Sequence, residues 1–456
     1  MRHYFIFILI LIFAFWLRSY QIGELMQFAG DEGWGYLVAR DAILSHTLPI
    51  TGPPTSLSWF HLGPLPYYIL IVSVWIGHFH PLSFAVTTIL ADTLAVGLMI
   101  LLGEIWQGRR TGFLSGLLYA SSPFFVIHSR IPLYVNLVPF FSILLYYVWF
   151  NYLKNKQNRF LYAAAFSYGM LIQMHITPIL LLPVLIWSIR KKLTLRKAAF
   201  GIIAFIIPLI PHIVSEANSG FEMTKKILMW FPYRIAGSAG IGTTKNILTT
   251  NRLSKVIETV FSSYSQTIFP VVPVVSVVLI LLSIIYVSKR MQTDVIGKTI
   301  LLIILVSSIG IIIHGQPAYH YLLFFLPLIL LLIAHLCSKN SVGVVLSVLL
   351  VVLNTGNLFQ NQFQSGIPLT ERMEVARFMI SSSKEKTYEI VASPDIIDLP
   401  HFYDQYRYLT WYLGKEPVTT KGDIRDMIYE WDVSVKPADG KVLVKKFNHV
   451  TVIENL

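Results

Sequence analysis

The sequence contains little cysteine and little charge. Its 456 residues include one cysteine, Cys337, which excludes an internal disulfide. Only 13% of the residues are charged and 55% are hydrophobic, which is too apolar for a soluble protein of this length. The sequence also lacks the motifs of zinc metalloproteases, ATP-binding loops and dinucleotide-binding folds, so it gives no support to an enzyme of those classes.

Long apolar runs recur as far as residue 356. They predict eleven membrane spans, at residues 4–19, 82–105, 112–129, 136–152, 160–174, 177–189, 198–214, 269–287, 297–313, 319–336 and 341–356. We interpret the first as an uncleaved helix, because no small-residue cleavage pattern follows it. The apolar run from Leu65 to Gly77 is shorter than the roughly 20 residues of a span, so we predict an interfacial or re-entrant helix there.

Basic residues cluster in alternate gaps between the predicted spans. The clusters are Arg109-Arg110, Lys154 with Lys156 and Arg159, Arg190 to Lys197, and Lys289-Arg290. Because cytoplasmic loops of membrane proteins carry the excess of Lys and Arg, this pattern predicts a multi-pass protein of the cell membrane with a cytoplasmic N-terminus. Insertion into a lipid bilayer also explains the net charge of +12, so we expect no nucleic-acid partner.

The composition changes near residue 357. We predict a transmembrane domain at residues 1–356, with external loops at 20–81 and 215–268, and a soluble extracytoplasmic α/β domain at 357–456. In the second domain, Tyr388 to Ala392 and Lys441 to Lys446 are strand-like, and Glu371 to Ile380 is helix-like. The aromatic residues from Phe402 to Trp411 favour an ordinary core over a cover for an acceptor pocket.

Two adjacent carboxylates follow the first span, in the segment Phe28 to Tyr36. Asp31 and Glu32 are flanked there by glycines and aromatic residues. Neighbouring negative charge and partial burial raise the pKa of a carboxyl group, which suits it to act as a general base. A solvated acidic loop is the alternative interpretation.

An Asp-Glu pair directly after the first span resembles the signature of GT-C glycosyltransferases related to protein O-mannosyltransferases and lipid A aminoarabinose transferases. The most similar bacterial grouping is the RgtA/B/C/D-like domain. Further segments resemble the family in the same order over about residues 1–340, namely His61 to Tyr68, His128-Ser129-Arg130 with Asn136, Gln173 to Thr177, and Tyr319-His320-Tyr321. The resemblance implies a mainly α, polytopic GT-C fold.

The resemblance also implies a donor sugar linked to polyprenyl phosphate. Asp31 would then deprotonate an acceptor hydroxyl for an inverting displacement, and Glu32 would orient the acceptor or tune Asp31. The phosphate is a competent leaving group that a cation would stabilise. We therefore expect donor phosphate or acceptor binding from seven further residues, Arg130, Asn136, His175, His320, His61, Lys225 and Lys226.

Asn136 departs from the resemblance, because many relatives carry an acidic residue in that loop. We therefore expect no bound divalent cation and no other cofactor. The sequence leaves open a hexosyl or a pentosyl transferase, and an envelope glycan, a lipid or a protein as acceptor. It also leaves open a transporter or flippase of lipid-linked sugar, for which Asp92 within a span is the main support, and an inactive scaffold that binds lipid-linked sugar.

Overall fold

A computed structural model describes residues 2–55, 57, 59–191, 193–238, 250–290, 293–314, 318–363, 365–392, 401–419, 422–431 and 442–455. The helices of the first half are α1 (Arg2–Ser19), α2 (Ile22–Leu25), α3 (Gly30–Leu44), α4 (Leu65–Ile76), α5 (Ser83–Gln107), α6 (Arg109–Ala120), α7 (Pro123–Ser129), α8 (Val138–Asn155), α9 (Asn158–Met174), α10 (Leu182–Ile189), α11 (Leu195–Ile206) and α12 (Ile210–Asn218).

The second half continues with α13 (Glu222–Ser238), α14 (Thr250–Ile268), α15 (Pro273–Ser288), α16 (Val295–His314), α17 (Leu326–Cys337), α18 (Ser341–Gln360), α19 (Leu369–Ser383) and α20 (Asp404–Tyr412). Short 3-10 helices lie at Tyr134–Leu137, Thr177–Leu181, Ile207–Leu209 and Tyr319–Leu322. The strands are β1 (Tyr388–Ala392), β2 (Ile424–Glu430), β3 (Val442–Lys446) and β4 (Val450–Asn455).

Apolar helices dominate the fold up to α18, so the multi-pass prediction is confirmed. In the described ranges, six helices are long and apolar enough to cross a membrane: His3–Leu25, Ser83–Gln107, Tyr134–Asn155, Leu195–Asn218, Val295–His314 and Ser341–Gln360. A seventh would join α14 to α15, which are bent by 88°. Each of the eleven predicted spans coincides with one or more helices, but several are short or interrupted by proline, as where Pro123 begins α7. The count of eleven therefore stays a prediction.

The basic clusters lie together at one end of the helical bundle. Lys154 Nζ at the end of α8 donates to the carbonyl oxygen of Ile105 at the end of α5, at 3.0 Å. Trp106 Nε1 bonds to the Asp294 carboxylate, just beyond Lys289-Arg290, at 2.8 Å. At its other end, α5 begins beside α3, where the Phe84 N–H donates to Tyr36 Oη. A 25-residue helix is roughly 37 Å long, so α5 separates α3 from the basic end by about the thickness of a membrane.

Asp92 holds helices together inside this bundle. Its carboxylate accepts from Arg18 Nε at 2.7 Å and from Tyr119 Oη at 2.5 Å. Arg18 also donates to the carbonyl oxygens of Ala14 and Ala120. A buried charge that is paired and hydrogen-bonded in this way joins α1, α5 and α6, so Asp92 is a helix-packing residue.

The C-terminal segment forms a small sheet with strand order β1-β2-β4-β3. β1 runs parallel to β2, and the other pairs are antiparallel. The predicted strands coincide with β1 and β3, except that Lys441 lies outside the described residues, and the predicted helix lies within α19. Tyr406 and Tyr408 are fully buried, as expected for core residues. The boundary between two domains stays a prediction, because α20 packs directly against α3.

Candidate functional site

The predicted carboxylate pair occupies the first turn of α3. Glu32 Oε2 accepts the Ala29 N–H at 2.9 Å and so closes the start of the helix, as in a capping box. Glu32 is 3% exposed, whereas Asp31 reaches the surface. The two carboxylates therefore differ in the fold: Glu32 belongs to the helix cap, and Asp31 is accessible from the surface.

Burial changes the acidity of both groups. Surrounding protein atoms raise the pKa of the Asp31 carboxyl, and the charge of His401 partly opposes this effect. Deeper burial raises the pKa of Glu32 to about 7, with a further contribution from the negative charge of Asp31, although backbone hydrogen bonds and Arg372 oppose it. A carboxylate with a raised pKa is a stronger base, so the environment of Asp31 suits proton removal.

We expect Glu32→Gln to stabilise the protein at pH 8 and to change it little at pH 5. The folded state holds the Glu32 proton up to about pH 7, whereas an unfolded glutamate releases it near 4.5. The contribution of Glu32 to the free energy of unfolding is therefore greatest below the unfolded pKa. This contribution falls by on the order of 2–3 kcal/mol as the pH rises through 7. Glutamine keeps the helix cap without titrating. Thermal unfolding at several pH values tests this prediction.

The matched control is Glu24→Gln, at an exposed position of α2. Equal melting temperatures for the wild type and Glu32→Gln at every pH would contradict the raised pKa of Glu32.

The C-terminal segment forms one wall of the site. A methyl group added to Gly30 would collide with the carbonyl of His401, and one added to Gly33 would collide with the backbone of Gln405. The His401 ring packs on the Trp34 ring, with centroids 4.4 Å apart. These glycines allow the N-terminal end of α20 to touch the helix that carries Asp31.

Tyr319 approaches the carboxylates from another side, and two histidines pack on its ring. Tyr319 lies close enough to Asp31 and Glu32 to be influenced by their charge. Its ring packs on His128, with centroids 4.6 Å apart, and on His320. The structure thus brings part of the predicted Tyr319 to Tyr321 segment to the candidate site.

His175 and His320, both predicted to bind donor or acceptor, lie together. Their rings meet edge to face, with centroids 5.3 Å apart. His175 Nδ1 accepts the Thr177 N–H at 3.2 Å, which leaves the ring proton on Nε2. Burial, together with His320 and His314, lowers the pKa of His175 to about 3. His175 can therefore donate a hydrogen bond to a phosphate but carries no charge at neutral pH.

Arg130, which is predicted to bind the donor phosphate or the acceptor, contacts the end of the first helix. It is 2% exposed, and its guanidinium donates to the carbonyl oxygens of Arg18 and Tyr20 at 2.9 and 2.8 Å and packs on the Phe363 ring. These contacts hold Nη1 against the carbonyls at and just beyond the end of α1. Among the described residues, Nη2 of the same guanidinium is buried without a hydrogen-bond partner, so binding of the donor or acceptor by Arg130 stays a prediction.

Asn136 is also engaged in the fold. It is 4% exposed, and its Nδ2 donates to the Ile131 carbonyl at 3.1 Å, which closes the turn before α8. This burial favours a structural role over hydrogen bonding to an acceptor.

His61, Lys225 and Lys226 form a separate group. The His61 N–H lies 3.4 Å from Met223 Sδ, at the start of the helix that carries both lysines. Lys225 is exposed, and Lys226 pairs with Glu222 at 2.6 Å. No contact among the described residues joins this group to Asp31, so the structure does not bring it to the carboxylates.

His401 is the site residue that sequence reasoning missed. The segment around it contains no catalytic pattern, and the contact with Trp34 joins opposite ends of the chain. In the described part of the chain, no group of three or more His, Cys, Asp or Glu residues is arranged to hold a metal ion.

The chain resembles known membrane proteins both in sequence profile and in structure. The profile of the dolichyl-phosphate-mannose-protein mannosyltransferase family matches residues 61–214. The archaeal oligosaccharyltransferase AglB from Archaeoglobus fulgidus, in complex with an inhibitory peptide and a dolichol-phosphate, is 12% identical, with a TM-score of 0.55 over 90% of this chain and 64% of its own. A comparison with curated proteins gives no match.

Two further structures are similar. The Archaeoglobus fulgidus oligosaccharyltransferase in complex with Zn and sulfate is 13% identical, with a TM-score of 0.56 over 89% of this chain and 61% of its own. ArnT from Cupriavidus metallidurans bound to undecaprenyl phosphate is 12% identical, with a TM-score of 0.47 over 99% of this chain and 97% of its own. The chain thus spans less than two thirds of the oligosaccharyltransferases that it matches.

Proposed function

The chain is a multi-pass membrane protein with the GT-C fold of membrane glycosyltransferases, and we propose that it transfers a sugar from a polyprenyl-phosphate-linked donor to an extracytoplasmic acceptor. The matched profile belongs to a family named for dolichyl-phosphate-mannose, and the AglB structure with this fold contains a dolichol-phosphate. Both observations support a lipid-linked donor. The acceptor would be an envelope glycan, a lipid or a protein.

One observation carries the proposal. Asp31 lies in the first turn of a helix far from the basic end of the bundle, and its side chain reaches the surface. Protein atoms enclose part of its carboxyl group and raise its pKa. Glu32, the other carboxylate of the pair, accepts the Ala29 N–H in the helix cap. Asp31 is therefore the better general base, and Glu32 tunes it by position and charge.

The proposed reaction is a single displacement. Asp31 takes the proton of the acceptor hydroxyl as its oxygen forms a bond to the anomeric carbon of the sugar. The bond from that carbon to the phosphate oxygen breaks, and the electron pair leaves with the polyprenyl phosphate. Attack opposite to the leaving group inverts the anomeric configuration.

Hydrogen-bond donors near the carboxylates would bind the departing phosphate. His175 and His320 support this role because they lie together beside Tyr319, which is close to Asp31. Lys225 and Lys226 would act at a distance from the carboxylates, on the polyprenyl phosphate as it enters from the membrane. Developing negative charge on the leaving group is stabilised by such donors.

The orientation of the chain is part of the proposal. The joined ends of α5 and α8, with their basic clusters, would face the cytoplasm. Asp31 and the C-terminal segment would then lie on the opposite side, where a lipid-linked donor meets acceptors of the cell envelope.

The test is transfer of radiolabel by the purified protein in lipid nanodiscs. A panel of polyprenyl-phosphate hexoses and pentoses is offered together with lipid, glycan and protein fractions, and heat-inactivated protein is the control. We expect label to move from one donor to one fraction. Label that is bound but never transferred would contradict the transferase and favour a scaffold. In a parallel assay with the protein in proteoliposomes, label that crosses the membrane intact without transfer would favour a flippase.

A further inference from the structure

Two carboxylates face each other inside the C-terminal sheet. Asp426 of β2 is directly opposite Glu454 of β4 in the antiparallel register, so their side chains lie on the same face of the sheet. Both residues are 0% exposed. Ile428 and Val452 form the next opposed pair on that face and belong to an apolar cluster. The acidic pair therefore occupies a core position that its neighbours fill with apolar side chains.

Neither carboxylate has a partner among the described residues. All four of their oxygens are buried without a hydrogen bond. Two nearby hydroxyl groups donate elsewhere. Tyr388 Oη donates to the Lys415 carbonyl oxygen at 2.6 Å, and Tyr406 Oη donates to the Glu430 carboxylate at 2.8 Å. Because a buried charge without a partner is costly, such a group becomes neutral unless something compensates it.

The surroundings of the pair supply no such compensation. Ile390 of β1 flanks the pair on one side and Leu443 of β3 on the other, and α19 adds apolar side chains to the same cluster. Arg425, the neighbour of Asp426 in sequence, lies on the opposite face and pairs with a glutamate of β1 at 3.3 Å. The other titratable groups of these elements on the face of the pair are Tyr388 of β1, Tyr406 of α20 and the exposed Lys445 of β3.

A bound proton removes most of this cost. Two negative charges at opposed positions of neighbouring strands repel each other, and burial disfavours the charged form of each. Burial, together with the negative charge of Glu454, raises the pKa of the Asp426 carboxyl to about 7. A carboxyl group that keeps its proton can donate a hydrogen bond to the carboxylate opposite. The pair then carries one negative charge instead of two.

We propose that Asp426 and Glu454 share one proton and make the C-terminal sheet a pH-sensitive element, which is closed at acidic pH and opens more readily once the proton is lost. The change reaches α20, because β2 also carries Glu430, whose carboxylate accepts from Arg372 of α19 and from Tyr406 of α20. Since α20 forms one wall of the candidate site, the pH controls how stably that wall is held. The inference does not depend on the transfer of a sugar.

The first experiment is hydrogen exchange of the full-length protein in nanodiscs, followed by mass spectrometry. The folded pair holds its proton up to about pH 7, whereas an unfolded aspartate releases it near 3.8, so the contribution of the pair to stability falls as the pH rises to 7. We therefore expect the protection factors of the β2 and β4 amides to fall about tenfold or more between pH 5 and pH 8. Equal protection at both pH values in the wild type would overturn the proposal.

Variants assign this change to the pair. Asparagine at position 426 cannot release a proton, so the fall in protection should disappear in Asp426→Asn. Glu454→Gln removes the facing charge, so the fall should be complete at a lower pH. Glu385→Gln, at an exposed position of the same segment, is the matched control and should behave as the wild type. A fall of wild-type size in Asp426→Asn would overturn the assignment.

The second experiment observes the proton directly by infrared difference spectroscopy between pH 5 and pH 8. It uses the Glu32→Gln protein as its background, because Glu32 releases its proton over the same pH range. A protonated carboxyl group has a carbonyl band that a carboxylate lacks. We expect that band to be lost as the pH rises, and to be absent at both pH values when Asp426→Asn is added. A band that is unchanged by that substitution would place the proton on another carboxyl group and overturn the proposal.

Discussion

Asp31→Asn is expected to reduce kcat by about 10²- to 10⁴-fold, the contribution of a general base. Asparagine has nearly the shape of aspartate but cannot accept a proton from a hydroxyl. Because Asp31 is exposed at the start of α3 and does not form the helix cap, the replacement should preserve the fold and donor binding. The measurement is single-turnover transfer together with equilibrium binding of the labelled donor.

Asp41→Asn is the matched control, because Asp41 is an accessible aspartate of the same helix that pairs with Arg40. It should retain transfer close to the wild-type rate. Wild-type turnover by Asp31→Asn would refute the assignment of the base. A large loss in Glu32→Gln with Asp31→Asn active would move the role to Glu32.

Gly33→Ala is expected to separate the C-terminal segment from α3. A methyl group at this position collides with the backbone of Gln405 and Asp404, which cannot rotate away as the end of a side chain can. Such overpacking costs about 1–3 kcal/mol, which exceeds the roughly 0.5–1 kcal/mol that alanine contributes to a helix. We expect a lower melting temperature and at least a tenfold loss of transfer, because one wall of the proposed site moves with α20.

Gly35→Ala provides the comparison within the same helix. Its methyl group would meet only Leu70 Cδ2, at 3.2 Å, and this side-chain end can shift. Limited proteolysis should then cut the C-terminal segment faster in Gly33→Ala than in Gly35→Ala. Equal melting temperatures and equal cleavage would show that the contact between α3 and α20 does not depend on a glycine.

The sequence predicts well what depends on local pattern. Apolar run length identified the membrane helices, and the Asp-Glu pair after the first run marked the carboxylates that the structure places at the start of α3. The strands at Tyr388–Ala392 and Val442–Lys446 were also predictable, because alternation of polar and apolar residues is a local signal. Prolines such as Pro123 made the number of crossings uncertain, since they divide apolar runs into short helices.

The parts that the sequence did not predict depend on contacts between distant residues. Nothing local indicates that Nη1 of Arg130 donates to carbonyls at the end of α1. The different burial of Asp31 and Glu32 follows from the capping geometry and from α20 packing above them. His401 likewise gains its position only when α20 meets Gly30 and Gly33.

The joining of α3 to α20 has a consequence for biosynthesis. Residues 376 positions apart, Arg40 and Glu416, form an ion pair across the same contact, at 2.8 Å. In the proposed orientation, a growing chain translocates α3 and its carboxylates across the membrane long before the ribosome has made their partner segment. Partly translated chains would therefore present Asp31 without its facing wall, so catalytic competence would be among the last properties that the nascent protein acquires.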